Sequence, residues 1–169
     1  MMIPKEVADG LNLQITREYE SYWIYRQMAY KFSSMGLRVF SEWFNQQANE
    51  EIIHAEKMAN YLLDQGGEVA LGVMNKPDDD YSTAEKICAG ALEHEMKITA
   101  WIHELTSLAR SKNDFATEQF LSWFVSEQVE EVATSTELLN LVKMAKEPHH
   151  LLQLENRIMG LRGTGGAAE

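Results

Sequence analysis

Residues 50–56 read EEIIHAE. Glu51 and His54 stand three positions apart, so on a helix their side chains share one face. That face is otherwise apolar, carrying Phe44, Ala48, Ala55, Met58 and Leu62. The anomaly recurs elsewhere in the chain. Glu18 falls in a series with Leu11, Tyr25 and Phe32 at intervals of seven, and Glu95 falls among Ala91, Ile98, Ile102, Leu105 and Ala109. Glu127 and Glu131 fall among Phe120, Phe124, Thr134, Leu138 and Leu141. Each of four core-facing stripes thus carries a carboxylate near its middle.

One acid beside an apolar stripe leans out to solvent; four at matching depth are a different matter. A buried, unpartnered carboxylate costs several kcal/mol, and mutual repulsion multiplies the cost. No comparable set of cations shares these faces, since Arg17 and Lys97 lie off the stripes. A multivalent metal ion resolves the conflict. An all-oxygen set would suit magnesium or calcium, whereas an imidazole among carboxylates shifts the preference to iron, manganese or zinc. Glu-x-x-His facing further glutamates is the spacing of two-metal carboxylate centres in helical bundles. Iron is the first choice, because a redox metal gives such a buried geometry a use. The run SEQVEE adds Glu127, Gln128, Glu130 and Glu131 within little more than one turn.

Long helices must position these groups. Glycine and proline punctuation, with no alternating strand-like run, predicts an all-α single domain over residues 1–169. Helices are expected at about 4–34, 37–65, 83–111 and 114–146, with a short fifth at about 148–160 and a flexible tail over 161–169. Pro4 suits a first turn and Gly36 a left-handed C-terminus. Ser82 with Glu85 reads as a capping box opening the third helix. Two connections are short and make antiparallel hairpins. The connection over 66–82 is long: its roughly 16 residues can span about 50 Å, more than the roughly 42 Å of a 28-residue helix. It can return along the whole bundle, making the second and third helices parallel in a four-helix bundle with one long crossover.

Composition sets the outer limits. The 169 residues include 26 acidic and 15 basic side chains, a net charge of −11, which disfavours a nucleic-acid partner. No uncharged apolar run is long enough to span a membrane and the N-terminus has no apolar signal-like core, so a cytoplasmic location is expected. The single cysteine, Cys88, excludes an internal disulfide and any multi-thiolate metal site, and is read as a small core residue. His149 and His150 are adjacent, point about 100° apart on a helix and cannot chelate together. Glu56 lies on the same helix as Glu51 and reads as a surface acid or, alternatively, an inward-facing one.

The segments TREYESYWIY, NEEIIHAE, LEHEMKIT and FLSWFVSEQVEE, with the long crossover and short fifth helix, resemble the non-haem bacterial ferritins over roughly residues 4–160. The resemblance implies an iron-storage protein and ferroxidase that oxidises Fe(II) with dioxygen or hydrogen peroxide. Ferric oxide would then be deposited inside a cage of 24 like chains. It implies that Glu18, Glu51 and His54 hold one iron and that Glu51 bridges to a second held by Glu95, with Gln128 and Glu131 nearby. A third iron position of such ferritins matches Glu50, Glu127, Glu130 and Glu131, and Glu118 falls roughly where such ferritins line an iron-entry channel. Tyr25 matches a tyrosine beside the centre, as hydrogen-bond partner, electron donor or core aromatic. Bacterioferritins differ by a second Glu-x-x-His where this chain has Gln128 and Glu131, and by a haem-ligating methionine where it has Ile52, so no haem is expected. The alternative is a ferritin-like diiron peroxidase or oxidase without mineral storage.

Overall fold

The computed structural model describes residues 3–77 and 80–161; the expected tail beyond Leu161 lies outside them. The helices are α1 (Lys5–Ser34), α2 (Arg38–Asp64), α3 (Ala84–Ser111), α4 (Phe115–Met144) and α5 (Pro148–Ile158), closed by a 3-10 turn at Met159–Leu161. There is no strand among the described residues. Gly36 (φ 79°) ends α1 and Gly66 (φ 73°) ends α2 in the left-handed conformation that lacks a Cβ penalty. The cap of α3 falls one residue later than the sequence suggests. Thr83, not Ser82, has the extended backbone of an N-cap and accepts the Lys86 N–H at 3.2 Å. Asp114 caps α4 in the same way, accepting the Thr117 N–H at 3.1 Å.

The α2–α3 crossover is fastened along α1. Glu68 O accepts from Asn12 Nδ2 at 2.9 Å and the Ala70 N–H donates to Asn12 Oδ1 at 2.8 Å. The Gly72 N–H donates to Thr16 Oγ1 at 2.9 Å and the Asn75 N–H to Glu20 Oε1 at 2.8 Å. Loop and helix therefore advance in the same direction. Since α2 runs antiparallel to α1, α3 starts at the far end of the bundle and runs parallel to α2, as the connection length predicts.

α5 closes one end. Leu151, Leu154 and Ile158 pack on the core there. Glu155 Oε1 accepts the Val39 and Phe40 N–H groups at 2.7 and 3.3 Å. Leu37 offers α2 no side-chain cap, so this carboxylate from α5 satisfies two of the orphan donors of its first turn.

The apolar interior forms two bodies. One gathers Phe32, Phe40, Trp43, Phe44, Cys88 and Leu138, and Cys88 is indeed core. The other gathers Leu11, Ile15, Met58, Leu62, Ile102, Leu121 and Phe124. Turned slightly from expectation, the buried face of α4 runs Thr117, Leu121, Phe124, Gln128, Glu131, Ser135, Leu138 and Val142, alternating steps of four and three, with Leu139 and Leu141 buried beside it. Phe120, Glu127 and Thr134, expected on that stripe, are half-buried. Phe120 is drawn aside because its ring stacks on Tyr61 of α2, with centroids 3.9 Å apart.

Candidate metal centre

Between the two apolar bodies the core turns polar. Glu18, Glu51, His54, Glu95, Gln128 and Glu131 are all buried there, contributed by all four long helices. Glu18, Glu51 and His54 each offer a ligand atom within 4.8 Å of the other two. His54 Nδ1 lies 3.3 Å from Glu51 Oε2. The His54 ring stands edge-on to Trp123 and Phe124, centroids 5.6 and 5.9 Å away, which fixes its plane.

The α3 and α4 side is tied by hydrogen bonds. Tyr25 OH donates to Glu95 Oε1, and Gln128 Nε2 donates to Glu95 Oε2 at 3.0 Å. The same amide reaches Thr99 Oγ1 at 3.2 Å. Gln47 Nε2 donates to Glu131 Oε2 at 2.8 Å. On α1, Gln14 Nε2 donates to Glu18 Oε1 at 2.6 Å, and Glu18 Oε2 is buried with no hydrogen-bond partner.

Charge here is costly. Burial first, then the Glu51 charge, pushes Glu18 well above the usual carboxylate range. Burial and Glu95 do the same to Glu51, and burial, Glu95, Glu51 and Glu50 to Glu131. Burial and the carboxylates Glu95, Glu51 and Glu131 raise the Tyr25 phenol as well. Burial also raises Glu127, opposed by His54. A cation between these groups would replace protons that the folded chain otherwise retains. Donor set and environment therefore fit a divalent metal: hard oxygens, one imidazole and an orphaned buried oxygen.

The acids assigned by resemblance to a third position are less enclosed: Glu50 and Glu127 are half-buried and Glu130 is exposed. Glu118 is paired instead, accepting from Arg110 Nε and Nη2 at 3.0 and 2.7 Å. Glu56 and His103 are exposed. The rings of His149 and His150 lie 4.2 Å apart, and His150 Nδ1 accepts the Glu147 N–H in the cap of α5.

Sequence reasoning missed Gln14 and Gln47. Both are buried, and each stands four residues before a site glutamate, in QITRE and QANEE. That repeated spacing was the available signal. His94, to which the sequence assigns no acid partner, is buried with Nε2 2.8 Å from Ser21 Oγ and its ring edge-on to Tyr25.

Comparison with known proteins places this arrangement. Residues 8–145 match the ferritin-like domain family. The chain is 31% identical over 161 residues to a bacterial non-heme ferritin of Staphylococcus aureus, covering 95% of this chain and 97% of that one. It is 31% identical over 144 residues to the bacterial non-heme ferritin of Bacteroides fragilis, covering 85% and 91%. Among solved structures, an open-pore ferritin from the archaeon Archaeoglobus fulgidus superposes with a TM-score of 0.90 at 36% identity, covering 95% of this chain and 99% of that one.

Proposed function

The chain belongs to the ferritin family, and we propose that within it this protein is a ferroxidase and iron store whose oxidation site is the polar layer between its two apolar bodies. Fe(II) is the substrate. Glu18, Glu51 and His54 hold the first ion; Glu51 bridges to a second held by Glu95, with Glu131 and Gln128 beside it. Electrons pass to dioxygen or hydrogen peroxide, and Fe(III) leaves for a mineral inside a 24-subunit cytoplasmic shell. Glu50, Glu127 and Glu130, with Glu131, form a third, more open position.

The observation that carries this reading is the unpartnered, buried Glu18 Oε2 beside Glu51 and His54. No side-chain or backbone hydrogen bond reaches this oxygen, and a divalent cation would fill the place while releasing the protons that burial makes Glu18 and Glu51 retain. Tyr25 holds Glu95 in place through its hydroxyl, and the rings of Trp123 and Phe124 keep His54 from rotating and restrict water on its flank. Among the described residues no helix is long and apolar enough to cross a membrane.

The test combines size with chemistry. Purified protein should elute as a large shell and, given Fe(II) and dioxygen, show rapid oxidation followed by mineral growth. Glu51→Ala and His54→Ala should fold normally and lose the rapid phase. Undiminished rates in both variants would remove the site assignment, and oxidation without mineral growth would leave an oxidase rather than a store.

A further inference from the structure

We propose that Gln14 is a positioning residue for the α1–α2 metal-binding trio: its amide occupies Oε1 of Glu18 so that Oε2 is left to the cation. Arg17, seated on Trp101, determines which way round that amide sits. The inference rests on the metal-binding reading above.

Gln14 is buried, and its Nε2 stands 2.6 Å from Glu18 Oε1. An amide can present either end to a carboxylate, and its carbonyl end would repel it. Here the choice is fixed by chemistry. Arg17 Nη1 lies 3.3 Å from Gln14 Oε1, and a guanidinium has only donors, so the amide oxygen must face Arg17 and the NH2 must face Glu18. Arg17 is itself held, with Cζ 3.9 Å from the centroid of the Trp101 ring on α3. A chain of contacts thus runs from one hairpin through Arg17 and Gln14 to a single oxygen of the other.

The choice of glutamine matters electrostatically. A lysine or arginine at position 14 would pair with Glu18 directly and compete with an entering cation. A neutral amide satisfies one oxygen, adds no charge, and leaves Oε2 as the only buried side-chain oxygen of Glu18 without a partner. Outer partners that orient metal ligands in this way commonly change metal affinity by about 10–100-fold when removed.

The test uses full-length protein stripped of metal and titrated with Co2+, which is followed by calorimetry and by its visible d–d bands. Wild-type protein should bind Co2+, and Glu18→Ala should lose that binding; absence of any binding by the wild type would overturn the metal reading itself. With binding established, Gln14→Leu should weaken it by about tenfold and shift the d–d bands. Arg17→Met should cause a smaller loss in the same direction, and no further loss when added to Gln14→Leu. Wild-type affinity in Gln14→Leu, or an Arg17→Met effect that simply adds to it, would overturn the positioning role while leaving the metal site standing. Should Gln14→Leu fail to fold, Arg17→Met alone decides: unchanged affinity and bands reject the role.

Discussion

On the α1–α2 side of the centre, Glu18 has one oxygen in a hydrogen bond and the other bare, and Glu51 has an imidazole nitrogen beside it. On the α3–α4 side, both oxygens of Glu95 already have donors, from Tyr25 and Gln128, and Glu131 has Gln47. A cation entering the first side meets a carboxylate oxygen that no hydrogen bond occupies, and has chiefly the protons of the buried acids to displace. A cation entering the second must displace or share hydrogen bonds that already satisfy the carboxylates. The two halves of one site are therefore expected to bind unequally, tightly where the chain left a group unsatisfied and weakly where it did not. A weak half suits an ion that has to depart.

The largest expected effects separate the halves. Glu18→Ala should abolish binding of a redox-inert probe such as Zn2+ on the first side, whereas Glu131→Ala should spare that ion and remove only the weaker one, as counted by calorimetry. Equal losses from both variants would erase the asymmetry.

Next comes stability against pH. Glu18, Glu51 and Glu131 have folded-state values raised above their unfolded ones. Between the two, the folded chain holds more protons, so the metal-free protein should be most stable near and below the ordinary carboxylate range and lose stability as pH rises. Denaturant midpoints at pH 5 and pH 8 measure this, and Zn2+ should restore the loss. Glu18→Gln should stabilise the metal-free protein at pH 8 by about 1–3 kcal/mol. Exposed carboxylates such as Asp80, held low by Lys86, act in the opposite sense, but solvent screens them.

Smaller still, Tyr25→Phe should cost about 1 kcal/mol and loosen the second side while leaving Zn2+ on the first side unchanged. Glu155→Ala, remote from both halves, should lower stability by roughly 0.5–1 kcal/mol through the lost cap of α2 and alter neither affinity. A change in metal binding there would show that the bundle transmits strain from its end to its middle.

Much of this was legible in the chain. Three stripes follow from the spacing of apolar residues alone, because α1, α2 and α3 each turn a continuous apolar series inward. α4 differs at Phe120, Glu127 and Thr134, and at Phe120 the reason is a ring that packs sideways on Tyr61, a tertiary contact that periodicity does not encode. The acids stood out because they break an apolar pattern. The glutamines did not, since an amide at a core-facing position excites no electrostatic suspicion until its partner is known. Which oxygen of Glu95 meets Tyr25 depends on how two distant hairpins dock, and no local rule fixes that.

The ladder between the crossover and α1 carries a consequence for how this chain can vary in length. Its rungs on the helix recur at residues 12, 16 and 20, and those on the loop fall at 70, 72 and 75. Four helical residues rise about 6 Å, nearly the reach of the two extended residues between 70 and 72, while the three between 72 and 75 leave some slack. The crossover is thus a splint cut to the pitch of its helix. Because its rungs on the loop are mostly backbone N–H groups, a single inserted residue between 70 and 72 would throw the later rungs out of step, so this stretch of the long loop should resist the insertions that surface loops ordinarily absorb.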